Sequence, residues 1–302
     1  MPYHNTMRHI PYILVSVIAL TAAALLAVSF LLKSPEPELQ TIEAASTTPQ
    51  LTVSGLEAKA ALVLDVRNNR VLYELNADDQ LPLASITKIL TVLVAHELFP
   101  TGTIITITEG ALAEEGESGL SLGEQWDIDN LLKFVLVTSS NDGAAALRDT
   151  YNALGGEAFV PSMDRRAREL GLLSFSIRNA TGLDASDTLR ATNYGSARDV
   201  ATLFLHALRE IPDILDATRA GTESVSSLSR VHKVSNTNEI IDSIPNAVGG
   251  KTGFTDAAGG NLVMSFDRDI GSPIIVVVLG SSKEGRFTDM QKLVAAVRTQ
   301  GL

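Results

Sequence analysis

The longest apolar run of the chain lies near its N-terminus. Ile10 to Leu32 contains no charged residue and is long enough to cross roughly 30 Å of hydrocarbon as a helix. Arg8 precedes the run, whereas Glu36 and Glu38 follow it, and this bias favours an N-terminus inside the cell. We therefore expect a cytoplasmic tail at 1–9, a single transmembrane anchor at 10–32 and a body on the extracytoplasmic side of the cell membrane.

A cleaved signal peptide is the alternative interpretation of this run. Signal peptides have a shorter apolar core followed by a small-residue cleavage site, and neither feature is clear here. Either interpretation exports the rest of the chain. Residues 33–50 are rich in Pro, Glu, Ser and Thr and predict an extended linker, so the folded domain is expected over 51–302.

The start of this domain shows short apolar runs and then a long one. Ala60–Val66 and Val71–Leu75 are typical of strands, and Asn68-Asn69 between them predicts a hairpin. Leu83–Leu98 has helical length and is apolar almost all round, which is the pattern of a helix buried at a domain centre.

The remaining pattern predicts helices in the middle of the domain and strands near its end. We expect a strand at Thr103–Thr108, a helix capped by Asp129, helices at Gly143–Tyr151, Ser162–Leu170 and Ser196–Leu208, strands at Asn261–Phe266 and Pro273–Leu279, and a closing helix at Phe287–Val297. Strands at both ends with helices between them indicate an α+β fold, in which a helical region is inserted into a sheet built from both termini.

The net charge and the absence of cysteine exclude several classes of function. The net charge of −11 argues against nucleic-acid partners, because an acidic chain repels phosphates. The chain has no cysteine, which excludes disulfides, thiolate catalysis and cysteine-ligated zinc.

Three short motifs then carry candidate chemistry: Ser85-Ile86-Thr87-Lys88, Ser139-Ser140-Asn141 and Lys251-Thr252-Gly253. Each is weak alone. In this order they match the S-x-x-K, S-x-N and K-T-G signature of penicillin-binding proteins and class A β-lactamases.

The spacing of the first motif has a physical meaning. A serine and a lysine three residues apart share one helix face, so the amine of Lys88 can reach the hydroxyl of Ser85. Lysine is a base only if its pKa falls, and burial together with a nearby cation such as Lys251 would lower it. The alternatives are a helix cap with a solvent-facing lysine at Ser85 and Lys88, a helix N-cap at Ser139-Ser140-Asn141, and an ordinary turn with an exposed lysine at Lys251.

Residues 60–300 resemble the D-alanyl-D-alanine carboxypeptidases, the low-molecular-weight penicillin-binding proteins. The matching stretches are LVLDVRNNRVLYELNADDQLPLASITKILT, LLKFVLVTSSNDGAAAL, GSARDVA, NTNEII, VGGKTGFTDAAGGNLV and KEGRFTD. The resemblance implies the DD-peptidase/β-lactamase-like architecture, an antiparallel sheet flanked by helices with an inserted helical region and a cleft between them.

The resemblance also implies roles for single residues. Ser85 would attack the carbonyl between the two terminal D-alanines of a peptidoglycan stem peptide, Lys88 would take its proton, and Ser139 would relay a proton to the leaving amine. The substrate would be held by Asn141, Lys251, Thr252, Gly253 and Phe254, with an oxyanion hole formed by the N–H groups of Ser85 and Phe254. No metal or cofactor is implied, and β-lactam antibiotics would be covalent inhibitors.

Two features depart from the family pattern. Ser140 stands where glycine is common, and the chain ends soon after the closing helix, where many relatives continue into a β-rich domain and an amphipathic anchor. We expect the N-terminal helix to replace that anchor.

Other enzymes and a non-enzyme remain as alternatives. A class A β-lactamase would need a glutamate after the S-x-N motif, and the corresponding stretch Leu173–Asp184 contains none. A DD-endopeptidase and a non-catalytic binder of wall peptides also stay open. The G-x-S-x-G sequence at 119–123 is flanked by charged residues and favours a loop, and a P-loop fails because Pro245 stands where its first glycine is required.

Overall fold

The computed structural model describes residues 51–116, 118–185 and 190–300. All of them belong to one compact unit. The predicted tail, anchor and linker, residues 1–50, lie outside the described residues. Among the helices that the structure describes, none combines the length and the apolar character needed to cross a bilayer.

Eleven strands are found in the described ranges: β1 Ala60–Asp65, β2 Arg70–Leu75, β3 Leu81–Pro82, β4 Ile104–Thr106, β5 Gln125–Asp127, β6 Tyr194–Gly195, β7 Thr222–Ser226, β8 Val231–Ser235, β9 Ala247–Thr255, β10 Gly259–Asp267 and β11 Pro273–Ser281. Five of them form one antiparallel sheet in the order β2-β1-β11-β10-β9, while β3-β6, β4-β5 and β7-β8 form separate pairs. The sheet is thus built from both ends of the domain, as predicted, and β9 lies at its edge.

The same ranges contain eight α-helices: α1 Thr87–Leu98, α2 Glu109–Leu112, α3 Ile128–Thr138, α4 Asn141–Ala153, α5 Phe159–Glu169, α6 Ala197–Glu210, α7 Pro212–Leu215 and α8 Gly285–Thr299. The predicted helix at Leu83–Leu98 begins later than expected, because a 3-10 turn at Ala84–Ile86 precedes it. The expectation that Asp129 caps a helix is wrong. Asp127 is the cap of α3, and its side chain accepts the N–H of Asp129.

Alternation along the strands divides the core into two layers. In β1, Leu62 and Leu64 pack into the larger cluster, which includes the apolar side chains of α1, whereas Ala61 and Val63 pack into a smaller cluster beneath α8. Successive strand residues point to opposite faces, so one buried strand serves both layers. The fold places the start of α1 against the edge strand β9, and the candidate residues meet there.

Candidate active site

Ser85 lies in the tight turn that leads into α1. The preceding residue, Ala84, has a φ of +47°, a conformation that residues other than glycine rarely adopt. Gly182 packs directly on this turn with a φ of +81°, and a Cβ at Gly182 would overlap the carbonyl group of Ala84. The strained turn and the close glycine together fix Ser85 against the segment around Thr181.

Lys88 is fully buried and faces Ser85. Its Nζ atom lies 2.9 Å from Ser85 Oγ, 2.6 Å from Asn141 Oδ1 and 2.6 Å from the carbonyl oxygen of Thr181, and donates to all three. The predicted contact between the serine and the lysine is confirmed, and the alternative of a solvent-facing lysine is excluded.

The pKa of Lys88 is lowered to about 7, principally because burial disfavours the charged ammonium, while the carboxylate of Glu114 acts in the opposite direction. At neutral pH a substantial fraction of Lys88 is therefore an uncharged amine. Repulsion between Lys88 and Lys251 was expected to lower the pKa of Lys88, but it lowers the pKa of Lys251 instead.

The second motif links two helices. α3 ends at Thr138, Ser139 adopts a left-handed conformation with a φ of +62°, and Ser140 caps α4 by accepting the N–H of Gly143. The N-cap alternative thus applies to Ser140 alone, whereas Asn141 is the first residue of α4. The structure records no hydrogen bond from the Ser139 hydroxyl to another described residue.

The amide of Asn141 has only one sensible orientation. The carbonyl oxygen of Glu115 can only accept, so the atom of Asn141 that faces it is the nitrogen, and the atom that faces Lys88 is the oxygen. The Nδ2 atom then donates to the carbonyl oxygen of Glu115 at 2.6 Å. One of its two N–H groups is left for another acceptor.

The third motif lies on β9 and forms the opposite wall. Lys251 is 1% exposed and sits within the strand, so the alternative of a turn with an exposed lysine is wrong. Its Nζ donates to the carbonyl oxygen of Thr252 at 2.9 Å, and Thr252 Oγ1 donates to Thr237 Oγ1 at 2.6 Å. A Cβ at Gly253 would lie 3.2 Å from the Ser85 nitrogen, which shows how closely β9 approaches the turn.

Basic side chains accumulate along this wall. The pKa of Lys251 lies well below its usual value because of burial and because of repulsion from Lys88 and Arg286. Arg286, at the start of α8, donates to the carbonyl oxygen of Gly253 at 2.9 Å. Phe254, the next strand residue, is 40% exposed, and the Lys283 ammonium lies 5.5 Å from its ring centroid. The wall can accept an anion next to Ser85.

The arrangement of a serine, a buried amine and a basic strand can now be compared with known proteins. A family model described as D-alanyl-D-alanine carboxypeptidase matches residues 44–283. The chain belongs to this family.

Individual relatives agree with the family. The chain is 31% identical to the D-alanyl-D-alanine carboxypeptidase DacC of Escherichia coli K12 over 84% of its own length and 62% of the relative. It is 32% identical to a D-alanyl-D-alanine endopeptidase of Pseudomonas aeruginosa over 79% and 76% of the two chains. Penicillin-binding protein D2 of Listeria monocytogenes, in its cefotaxime-bound form, is 28% identical and superimposes with a TM-score of 0.69 over 81% and 98%. The chain spans less than two thirds of the carboxypeptidases DacC, DacF and DacA that it matches, and 77% of the carboxypeptidase DacB2 of Mycobacterium tuberculosis.

The α+β carboxypeptidase fold is therefore confirmed, and several contacts of the site were not predicted. The carbonyl oxygens of Thr181 and Glu115 are backbone atoms, which every residue has, so no residue type in the sequence indicates these contacts. Thr237 and Arg286 lie within the NTNEII and KEGRFTD stretches that carry the family resemblance, so position within those stretches was the available signal.

Proposed function

We propose that this protein is a serine D-alanyl-D-alanine carboxypeptidase that removes the terminal D-alanine from peptidoglycan stem peptides through an acyl-enzyme on Ser85. The observation that carries the proposal is the fully buried Lys88, whose pKa is lowered to about 7 and whose Nζ lies 2.9 Å from Ser85 Oγ. A neutral amine at this distance can take the hydroxyl proton as the oxygen attacks a carbonyl carbon.

The proposed acylation step uses groups from both walls. The Ser85 oxygen attacks the carbonyl between the two D-alanines, and Lys88 receives its proton. The N–H groups of Ser85 and Phe254 stabilise the negative charge that develops on the carbonyl oxygen. The C–N bond then breaks, and a proton relayed through Ser139 leaves with the amine of free D-alanine. Water hydrolyses the resulting ester.

Substrate binding is assigned to the two other motifs. The terminal carboxylate would lie against Lys251, Thr252 and Gly253, where Arg286 adds a further positive charge. The remaining N–H of Asn141 would donate to the amide carbonyl on the acyl side of the scissile bond. A carboxylate also restores a partner to the buried Lys251 ammonium, which favours its charged form.

A second candidate is cleavage of D-alanyl cross-links. The D-alanyl-D-alanine endopeptidase of Pseudomonas aeruginosa is 32% identical to this chain, against 31% for DacC, so sequence identity does not separate the two reactions. Both reactions would use the same serine and lysine, and only the group on the amine side differs.

Product analysis tests these assignments. The full-length protein is incubated with a synthetic stem pentapeptide and, separately, with a cross-linked stem dimer, and the products are weighed by mass spectrometry. We expect the pentapeptide to lose one D-alanine. If only the dimer is cleaved, the protein is an endopeptidase and not a carboxypeptidase. If neither the pentapeptide nor the dimer is cleaved, the alternative of a non-catalytic binder of wall peptides is favoured.

Covalent labelling by a fluorescent penicillin tests the nucleophile. We propose that β-lactams acylate Ser85, in line with the cefotaxime-bound and ampicillin-bound forms of the Listeria relative. Ser85→Ala should abolish labelling. Ser121→Ala is the matched control, because Ser121 belongs to the G-x-S-x-G sequence and, among the described residues, its hydroxyl accepts only from Arg230, which still holds the same loop through Gly119 and Glu124. Rapid turnover of the lactam would instead indicate a β-lactamase.

The membrane location is also a proposal. We infer a single-pass anchor at 10–32, with residues 1–9 in the cytoplasm and the catalytic domain on the outer side, from the uncharged run and its flanking charges. Membrane fractionation and N-terminal sequencing test it. A soluble product that begins at residue 26 or later would establish a cleaved signal peptide.

A further inference from the structure

Ser140 takes part in a continuous chain of hydrogen bonds beside the candidate site. Its hydroxyl donates to Ser118 Oγ at 2.8 Å, and Ser118 Oγ donates to Asp142 Oδ2 at 2.8 Å. Ser140 is 1% exposed and Asp142 3%. Both hydroxyl protons point towards Asp142, and the Ser140 oxygen remains free to accept the N–H of Gly143.

This chain joins two separate parts of the fold. Ser140 and Asp142 flank Asn141 at the start of α4, whereas Ser118 belongs to loop 114–124, which connects α2 to β5 and is described except for residue 117. The same loop supplies the Glu115 carbonyl that accepts from Asn141 Nδ2. The residues on both sides of Asn141 are therefore tied to the loop that orients its amide.

The other end of the loop is held by the β7-β8 hairpin. Arg230 donates to the carbonyl oxygen of Gly119, to Ser121 Oγ and to the buried carboxylate of Glu124. At the start of the loop, Glu114 accepts from Arg148 of α4 at 2.8 Å. Between this end and the end held by Arg230, the hydrogen bonds of Ser118 tie the middle of the loop to α4 and so help to place the Glu115 carbonyl.

We propose that Ser118 and Ser140 are positioning residues that act through Asn141. Their hydrogen bonds hold loop 114–124 against α4, so that the Glu115 carbonyl directs the remaining N–H of Asn141 towards the acyl-side amide of the substrate. This inference rests on the proposed function, in which Asn141 donates to that amide.

The proposal predicts an effect that depends on the substrate. Without the Ser118 hydroxyl, the middle of the loop loses its hydrogen bonds to α4, although Arg148 of α4 still holds Glu114. The Glu115 carbonyl is then less firmly placed, and the N–H of Asn141 is directed less well at the acyl-side carbonyl. A substrate that has this carbonyl should react more slowly. A substrate without it should react as before, because the contacts of Lys88 with Ser85, Asn141 Oδ1 and the Thr181 carbonyl do not involve Ser118.

Two β-lactams provide this contrast. Benzylpenicillin has an amide carbonyl on its acyl side, whereas 6-aminopenicillanic acid has a free amine there. For the full-length protein, we expect Ser118→Ala to lower the second-order acylation constant of benzylpenicillin by about two- to twelvefold, the effect of one hydrogen bond. The constant for 6-aminopenicillanic acid should stay within about twofold.

The variant Ser140→Gly tests whether the two serines act together. Because both hydroxyls belong to one chain, the double variant Ser118→Ala with Ser140→Gly should be no slower with benzylpenicillin than the slower single variant. Independent serines would multiply their effects, which would overturn the proposal. Equal losses with both lactams for Ser118→Ala, or no loss with either, would overturn it as well.

The experiment separates this inference from the proposed function. If neither lactam acylates the parent protein, the proposed function itself fails. If both acylate the parent and Ser118→Ala does not discriminate between them, the positioning role fails and the proposed function stands.

Discussion

The site has a helical wall, formed by α1 with Lys88, and a strand wall, formed by β9 with Lys251. Both lysines are buried, but their neighbours differ. On the helical wall, Lys88 has acceptors at 2.9, 2.6 and 2.6 Å, and the Glu114 carboxylate favours its charged form. On the strand wall, Lys251 donates to the backbone carbonyl of Thr252 and is repelled by Lys88 and Arg286. Burial lowers the pKa of both lysines. The neighbouring charges then act in opposite directions, because Glu114 raises the pKa of Lys88, whereas Lys88 and Arg286 lower that of Lys251.

The comparison shows how the same side chain can serve two purposes in one cleft. Lys88 is held close enough to neutrality to exchange a proton with Ser85 near pH 7. Lys251 lies in a position where an anionic ligand would supply the charge that the protein does not. We therefore expect changes at Lys88 to affect proton transfer and changes at Lys251 to affect carboxylate binding.

The largest expected effect is that of Lys88→Arg. Arginine stays protonated at any working pH, so acylation by a labelled penicillin should slow by about 10²- to 10⁴-fold, the usual contribution of a general base. Stopped-flow fluorescence measures the rate, and circular dichroism checks the fold. Lys88→Met is the companion variant, because it fills the buried site without a charge. Acylation of both folded variants at the parent rate would show that Lys88 is not the base.

Lys251 is expected to show a smaller effect. Lys251→Met removes the cation proposed to hold the terminal carboxylate and should lower kcat/KM for the pentapeptide by about 10- to 100-fold, the range of a hydrogen bond to a charged group. Lys251→Arg should be milder, because a cation remains. The two variants are compared by the rate of D-alanine release. A Lys251→Met protein as active as the parent would separate Lys251 from carboxylate binding.

The parent protein itself should show the titration of Lys88. Because the base must be neutral, the acylation rate should rise with pH through about 7 and should fall about fivefold between pH 7 and pH 6. The measurement is the second-order acylation constant, between pH 5 and pH 9, of a penicillin whose side chain carries no titratable group. A rate independent of pH over this range would contradict a base with this pKa.

The smallest expected effect is that of Glu114→Gln. The Glu114 carboxylate raises the pKa of Lys88, so removing its charge should lower that pKa and move the midpoint of the pH profile to lower pH, by less than about one unit for a charge partly screened by solvent. Glu109→Gln is the control, because Glu109 is an exposed carboxylate on the neighbouring helix α2. A midpoint that moves to higher pH would reverse the assigned electrostatic effect.

The elements of the fold that were predicted are those with strong local patterns. The hairpin of β1 and β2, the buried helix α1 and the final strands β10 and β11 are long apolar runs or have clear turn residues. The β7-β8 hairpin was not predicted, because Thr222–Ser226 and Val231–Ser235 are polar and half exposed, and their pairing depends on contacts with the rest of the domain.

The candidate site divides in the same way. The motifs identified Ser85, Lys88, Asn141 and Lys251 as members of one site, and their order in the chain carried that information. The motifs did not reveal that Lys251 is buried in an edge strand. They also did not reveal that the second residue of S-x-N bonds to a loop more than 20 residues away.

The sequence by itself determined the family, the order of the elements and the side chains that can perform the chemistry, because these depend on residue type and spacing. The tertiary structure decided the pKa of Lys88, the orientation of the Asn141 amide and the accumulation of basic side chains along β9. Each of these depends on burial and on backbone carbonyls or charges brought in from distant parts of the chain. Such neighbours become adjacent only when the chain has folded.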